Sequence, residues 1–322
     1  MFILRTRLFI FSLGVATIVT GQPVQEHKTG LRYGRFNIGF QHRILFDKTR
    51  SFEYTPGDSS VKSISALGRP LLLSFFSPTN ERNQKNRLKI KDLFLFNAEK
   101  PIQKFIDRFT SYQLLQSKRY AIQENLPLED FAGDPIRYEQ LVDLLFDKHL
   151  NTQLRCFTVS EKPGAQYPVV IYHQGLGGTL DENSILLEFL ASHGFVVVTS
   201  SFISGYGEST IGVGDTDASM KDLDFIIDYL KKQKIGDTDN IFLMGHSFGA
   251  NTLLAYPQVG THPVAGIIPI DSDYGYHLRF MMPQKMQPDL ITQANYVRTR
   301  ILAIGRPNAT FRMIDLLDKT ER

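Results

Sequence analysis

Cysteine is almost missing from this chain: Cys156 stands alone among 322 residues. An intrachain disulfide is therefore excluded, and so is a metal site built from several cysteines. Cys156 is expected to be a small buried apolar residue at the start of a strand. A surplus of one charge is missing too. Lys and Arg total 36 against 33 Asp and Glu, for a net charge of +3. The basic residues are scattered, and the grouping of Lys231, Lys232 and Lys234 falls on one expected helix. That pattern reads as a solvated face and argues against a nucleic-acid partner.

Long apolar runs are the third scarcity. An uncharged, mostly apolar run extends from Leu8 to Thr20, after Arg5 and Arg7 and before Gly21-Gln22. It is short for a membrane span of ~20 residues. Basic start, short apolar run and small residues together form the layout of a secretory signal peptide. Residues 1–21 are expected to be removed, placing residues 22–322 in the periplasm or outside the cell. No second run is long enough to cross a membrane, and no internal repeat or low-complexity segment is present.

What is present is ordinary globular material, 42% hydrophobic and 21% charged. A domain of roughly 300 residues can bury about three quarters of its unfolded surface. Residues 22–68 are polar and turn-rich, with Pro56-Gly57-Asp58 marking a loop. Leu71 to Phe76 reads as a strand. Residues 98–150 read as a helical insertion broken at Pro127 and Gly133. Its second half carries Ile136, Leu141, Leu144 and Leu145 at helical spacing. Its many apolar and aromatic residues (Phe105, Phe109, Tyr112, Leu114, Leu115) either pack on the flank of a sheet or form a cap that shapes an acyl pocket or touches lipid.

Beyond residue 155 strands and helices alternate. Strands are expected at Pro168–Tyr172, Phe195–Ser200, Asn240–Met244, Val264–Ile270 and Arg300–Gly305. Helices are expected at Asn183–Ser192, about Thr216–Gln233, and Phe248–Ala255, the last stopping at Pro257. Such alternation argues an α/β fold with a mostly parallel sheet and helices on both faces.

The chemistry centres on Gly245-His246-Ser247-Phe248-Gly249, a G-x-S-x-G pattern. Its context is the strand, sharp turn and helix that expose a nucleophilic serine. The helix N-terminus behind Ser247 favours negative charge there. A buried serine in a Gly-rich turn is the plain alternative. Acyl transfer also needs donors for the oxyanion. The N–H of Phe248, next to the nucleophile, is one candidate. The loop "YHQGLGGTL" after an earlier strand supplies the other, with Leu176 N–H chosen. A phosphate-cradling loop would need G-x-G-x-x-G spacing, which is absent. Asp271, closing the strand "VAGIIPI", is expected to orient the base, with Asp273 as its rival.

At these residues the chain resembles a known family. "HQGLGG", "LASHGF", "GHSFGA" and an Asp closing the next strand are similar to the α/β-hydrolase fold. Within it they resemble the platelet-activating-factor acetylhydrolase and dienelactone-hydrolase-related group. "GFQHRILFDKTRS" and "GRPLLLSFFSP" are similar to that group's N-terminal strands. The resemblance implies hydrolysis of short or oxidised acyl esters, on small-molecule or phospholipid-type substrates, without metal or cofactor. It implies Ser247 as nucleophile, Asp271 as acid, and Leu176 and Phe248 as oxyanion donors. Gln174 departs from the histidine that commonly precedes Gly-Leu-Gly in acetylhydrolases, and His173 stands one position earlier.

The base is the larger departure. The order in this fold is Ser, Asp, then His in a loop after the last strand. After Asp271 the sequence holds only His277, ahead of the strand at residue 300. The side chain of His246, beside the nucleophile, is expected to point away from the hydroxyl. His262 precedes the Asp strand, and His193 ends a helix. The expectation is a chain that stops before its catalytic histidine and is close to inactive as written. A catalytically inactive binding protein on the same fold is the alternative.

Overall fold

The computed structural model describes residues 30–52, 66–81, 86–100, 102–131, 133–203, 216–272 and 299–305. The expected signal peptide lies outside them, as do Asp273 and His277. The described strands are β1 (Asn37–Asp47), β2 (Arg69–Thr79), β3 (Arg87–Lys89), β4 (Gln153–Thr158), β5 (Pro168–His173), β6 (Val196–Ser200), β7 (Asp237–His246), β8 (Gly266–Ile270) and β9 (Arg300–Ile301). The helices are α1 (Ile102–Ala121), α2 (Pro135–Leu150), α3 (Ser184–Ser192), α4 (Thr216–Gln233) and α5 (Phe248–Val259).

The strands form one sheet in the order β3-β4-β1-β2-β6-β5-β7-β8-β9. From β6 to β9 all neighbours are parallel. β2 runs antiparallel to both β1 and β6. β4 lies parallel to β1 at the other edge, and β3 is antiparallel to β4.

Helices cover both faces, so the central strands are apolar throughout rather than alternating. Every residue of β2 and β6 is buried. Strand periodicity then sorts neighbours into two cores. Leu71, Leu73, Val169, Ile171 and Leu243 join Leu223, Ile226, Ile227 and Leu230 of α4 and Leu253 and Leu254 of α5. Leu72, Val170, Tyr172 and Met244 join Leu187 and Ala191 of α3 on the other side. Phe105, Ile106 and Phe109 of α1 belong to this second core. The insertion therefore packs on the flank of the sheet through one face of α1. Leu115 is 62% exposed, so the apolar positions of α1 do not all face inward.

Local signals account for most boundaries. α2 starts on Asp134, whose carboxylate accepts the Arg137 N–H at 3.0 Å, with Pro135 at the first helical position. α3 ends where Gly194 adopts φ +102°. Several boundaries differ from expectation by two or three residues, as at both ends of β2 and β7, and two differences have a visible cause. α5 does not stop at Pro257 but runs one turn on to Val259. Asp224 of α4 holds that turn from outside. It accepts the Tyr256 hydroxyl at 2.6 Å and the Thr261 N–H at 3.0 Å. The last strand is shorter than residues 300–305. β9 covers Arg300–Ile301, and pairing resumes at Ile304 opposite Ile270. Pro269 interrupts it: the neighbouring carbonyl of Ile267 faces β9, so the Pro269 nitrogen faces β9 too and has no proton to donate. Cys156 is fully buried as expected, but in the middle of β4 rather than at its start.

A buried ionic node ties the β1–β2 connection to α4. Asp222 is 1% exposed and receives Arg69 Nε and Nη2, each at 2.7 Å, and Arg50 Nη2 at 2.7 Å. Arg50 also meets Asp47, and Arg69 also donates to the Ile203 carbonyl. Removing one partner from a buried pair strands the other charge. Asp222→Ala should lower the unfolding free energy by about 3–5 kcal/mol. Urea denaturation of the two proteins measures this, and a loss below 1 kcal/mol would contradict the node's role.

Candidate active site

Ser247 occupies the first position beyond β7 and the N-cap of α5. Its backbone sits at φ +50°, ψ −115°, outside the regions L-residues ordinarily occupy. Sterics impose that turn. A Cβ on Gly245 would lie 2.8 Å from the Gly249 carbonyl carbon, and one on Gly249 would lie 2.4 Å from the Gln174 carbonyl oxygen. Both flanking positions are thus restricted to glycine by backbone on the other side. The Ser247 N–H donates to the Ile270 carbonyl at 2.9 Å, fixing the turn to the end of β8.

That bond sets the place of Asp271. His246 and Ile270 are register partners on parallel strands. Ser247 and Asp271 are the next residues of each chain, at the carboxyl ends of adjacent strands. Asp271 also has a positive φ, +51°, and its N–H donates to the Ile304 carbonyl at 2.7 Å. Asp tolerates this conformation better than most residues. The next residue, Ser272, donates its hydroxyl to Asn251 Oδ1 of α5 at 2.5 Å.

The glycine loop after β5 lies against this elbow. A Cβ on Gly175 would come 3.5 Å from Ser247 Cβ and 3.0 Å from His246 Nδ1. The Gly178 N–H closes a turn onto the Gly175 carbonyl at 3.0 Å, with Leu176 and Gly177 at its middle. Gly177 has φ +68°, and Leu176 is 45% exposed. Phe248 is the first residue of α5, so its N–H has no intrahelical acceptor.

Glu182 holds loop and elbow together, and sequence reasoning missed it. Its Oε1 accepts the Gly175 N–H at 3.1 Å and the Tyr172 hydroxyl at 2.7 Å, and lies 3.1 Å from His246 Nδ1. His246 therefore reaches toward Glu182. Burial, and next the charge of Glu182, push the Tyr172 phenol well above its ordinary pKa. No local pattern pairs Glu182 with residues 64 positions away, so only the folded chain reveals it.

His173 is 1% exposed and stacks on Phe202 at 3.8 Å. Its Nδ1 lies 2.7 Å from the Gln174 carbonyl, and its Nε2 meets the Ser219 hydroxyl. It braces the loop's start against α4. The remaining candidates have partners elsewhere. His262 meets Asp228 at 3.0 Å, and His193 meets the Phe189 carbonyl at 2.9 Å.

The family model described as the alpha/beta hydrolase fold matches residues 168–319. Among solved structures, the ferulic acid esterase of Streptomyces cinnamoneus superposes with a TM-score of 0.54 at 16% identity, over 88% of this chain and 68% of that one. This chain has the α/β-hydrolase fold. A monoacylglycerol lipase from Paleococcus ferrophilus is 27% identical, but over 35% of this chain and 42% of its own, with a TM-score of 0.29. The chain thus spans less than half of that lipase. No curated protein sequence matches the chain. In the α/β-hydrolase fold a sharp strand-to-helix turn and the loop after an earlier strand are where nucleophile and oxyanion donors stand. In this chain Ser247 stands on the strand-to-helix turn after β7, and the Gly175–Gly178 turn follows β5.

Burial pushes the pKa of His173 down to about 4, and that of His42 on β1 likewise to about 4, from an ordinary 6.5. Both are neutral in the fold at pH values where the unfolded chain protonates them. Stability from them is therefore complete above pH 6.5 and falls as the pH drops toward 4, by up to roughly 3 kcal/mol each. Histidine C2-proton NMR should find two imidazoles unprotonated at pH 5. If every histidine titrates near 6.5, these two are not buried as described.

Proposed function

We propose that the protein is a serine carboxylic-ester hydrolase acting on short-chain acyl esters, with acetylhydrolase-like phospholipid esters among the candidate substrates. The observation that carries this reading is the strained Ser247 at the strand–helix elbow, with the glycine loop packed against it. A non-glycine residue held in such a conformation costs about 1–3 kcal/mol and persists where surrounding structure over-determines it. Strain of this kind clusters at functional sites.

In this reading Ser247 Oγ attacks the ester carbonyl carbon and loses its proton to a base. The Phe248 and Leu176 N–H groups take the oxyanion, and the positive end of α5 adds to that stabilisation. Collapse of the tetrahedral species expels the alcohol and leaves an acyl-serine, which water then hydrolyses. Asp271 orients the base. His277 is the histidine of this chain that follows Asp271, and it lies outside the described residues. The basic start and short apolar run of residues 1–21 support export as part of the same reading.

Ser247→Ala should abolish hydrolysis of a short-chain p-nitrophenyl ester and labelling by a fluorophosphonate probe, with folding retained. Loss of a catalytic serine in a triad enzyme costs on the order of a million-fold in turnover. Labelling that persists in the variant would assign the nucleophile elsewhere. A correctly folded parent chain that neither labels nor hydrolyses would favour the inactive binding protein.

A further inference from the structure

The loop from Gln174 to Asp181 has a second set of ties, and they come from the insertion. The Leu180 N–H donates to Gln113 Oε1 of α1 at 3.0 Å. One turn further along α1, the Ser117 hydroxyl donates to Asp181 Oδ2 at 2.8 Å. His149 of α2 places Nε2 2.7 Å from the same oxygen. Thr179, inside the loop, donates to Asp181 Oδ1 at 2.6 Å. Gln113 and Ser117 are fully buried, and the Asp181 side chain is 5% exposed. Finally, Tyr120 of α1 overlies the turn: a Cβ on Gly177 would lie 2.6 Å from the tyrosine oxygen.

A buried carboxylate needs donors wherever it stands. Here two of its three side-chain donors come from helices that contribute no strand to the sheet. They bind two chain segments, 64 and 32 residues distant, to one oxygen. Burial alone would raise the Asp181 pKa, but the hydrogen bonds from His149, Thr179 and Ser117 outweigh it and hold the carboxyl below its ordinary value. The carboxylate is thus the ionised, acceptor form that this cluster of donors requires. A loop with glycine at 175, 177 and 178 has little stiffness of its own. Its shape is set by what grips it.

We propose that Asp181 is a positioning residue, gripped by Ser117 and His149, through which the insertion fixes the 174–181 loop in the turn that presents the Leu176 N–H to the oxyanion. The insertion is then a buttress for the oxyanion loop as well as a cover for the sheet. The kinetic part of this inference rests on the esterase reading above, while the mechanical part does not.

The test compares His149→Leu with His149→Gln, whose amide N–H can reach where Nε2 stands. Three quantities are measured: amide exchange at Gly175, Gly178 and Leu180, kcat and KM on a short-chain p-nitrophenyl ester, and the melting temperature. His149→Leu should speed exchange of those amides roughly tenfold or more and lower kcat by a similar factor. KM should stay near that of the parent, the melting temperature should fall by a few degrees for the lost buried donor, and His149→Gln should restore exchange and kcat. Unchanged exchange in His149→Leu overturns the clasp. Faster exchange with full kcat overturns its link to catalysis. If the parent shows no Ser247-dependent hydrolysis, the esterase reading fails by itself, and exchange still decides the clasp. Should His149→Leu not fold, Ser117→Ala removes a single hydroxyl from the same cluster and is read in the same way.

Discussion

The site depends on a lack of space. At Gly245 and Gly249 a single added carbon would run into backbone atoms of the elbow or of the strand beside it. The chain can pass between β5 and α5 only if both positions are bare. That passage forces Ser247 to positive φ and turns its side chain out of the ladder. The strain is maintained from both sides. β7 lies inside the sheet between β5 and β8, and α5 packs its Leu253 and Leu254 into a core with α4. The Ser247 N–H bond to Ile270 then carries the constraint across to β8, and so to Asp271. Candidate nucleophile and candidate acid are adjacent because one hydrogen bond fixes the register of two strand ends.

The glycine loop works on the opposite principle. It is free by composition and constrained by its neighbours. Two consecutive acids divide the task. Glu182 turns toward the sheet and gathers Gly175, Tyr172 and His246. Asp181 turns toward the insertion and gathers Thr179, Ser117 and His149. The 175–180 turn hangs between these two clamps. Adjacent residues on one chain can serve opposite partners because the Asp181–Asn183 turn into α3 changes the chain's direction there.

Much of the frame was legible because burial on two faces writes itself into composition. Val169–Tyr172 and Val196–Val198 read as strands since a strand covered by helices has no polar alternation to hide. The elbow was legible because its glycines answer to a local steric demand. The polar ties were not. Glu182 with His246, and Asp181 with Ser117 and His149, join residues that no periodicity relates. Pro257 misled because a proline signal is read within one helix, whereas Asp224 of the neighbouring helix decides where that helix ends. β9 was over-extended for a related reason: the interrupting residue, Pro269, is on the partner strand.

The histidines show how far partner assignments narrow the chemistry. A general base for Ser247 must offer a free ring nitrogen to the hydroxyl. His173 spends one nitrogen on the Gln174 carbonyl and the other on Ser219, and it is neutral and buried. His42 is divided between Ser74 and the Asp92 carbonyl on β1's side of the sheet. His149 is committed to Asp181, which faces the insertion. His246 flanks Ser247, yet its Nδ1 is directed to Glu182, the residue that also holds the Gly175 N–H. Turning His246 toward Ser247 would give up its contact with the carboxylate that holds the Gly175 N–H. If Ser247 is the nucleophile proposed above, the approach that fits these assignments and the fold's Ser, Asp, His order is from the Asp271 side, at the carboxyl ends of β7 and β8.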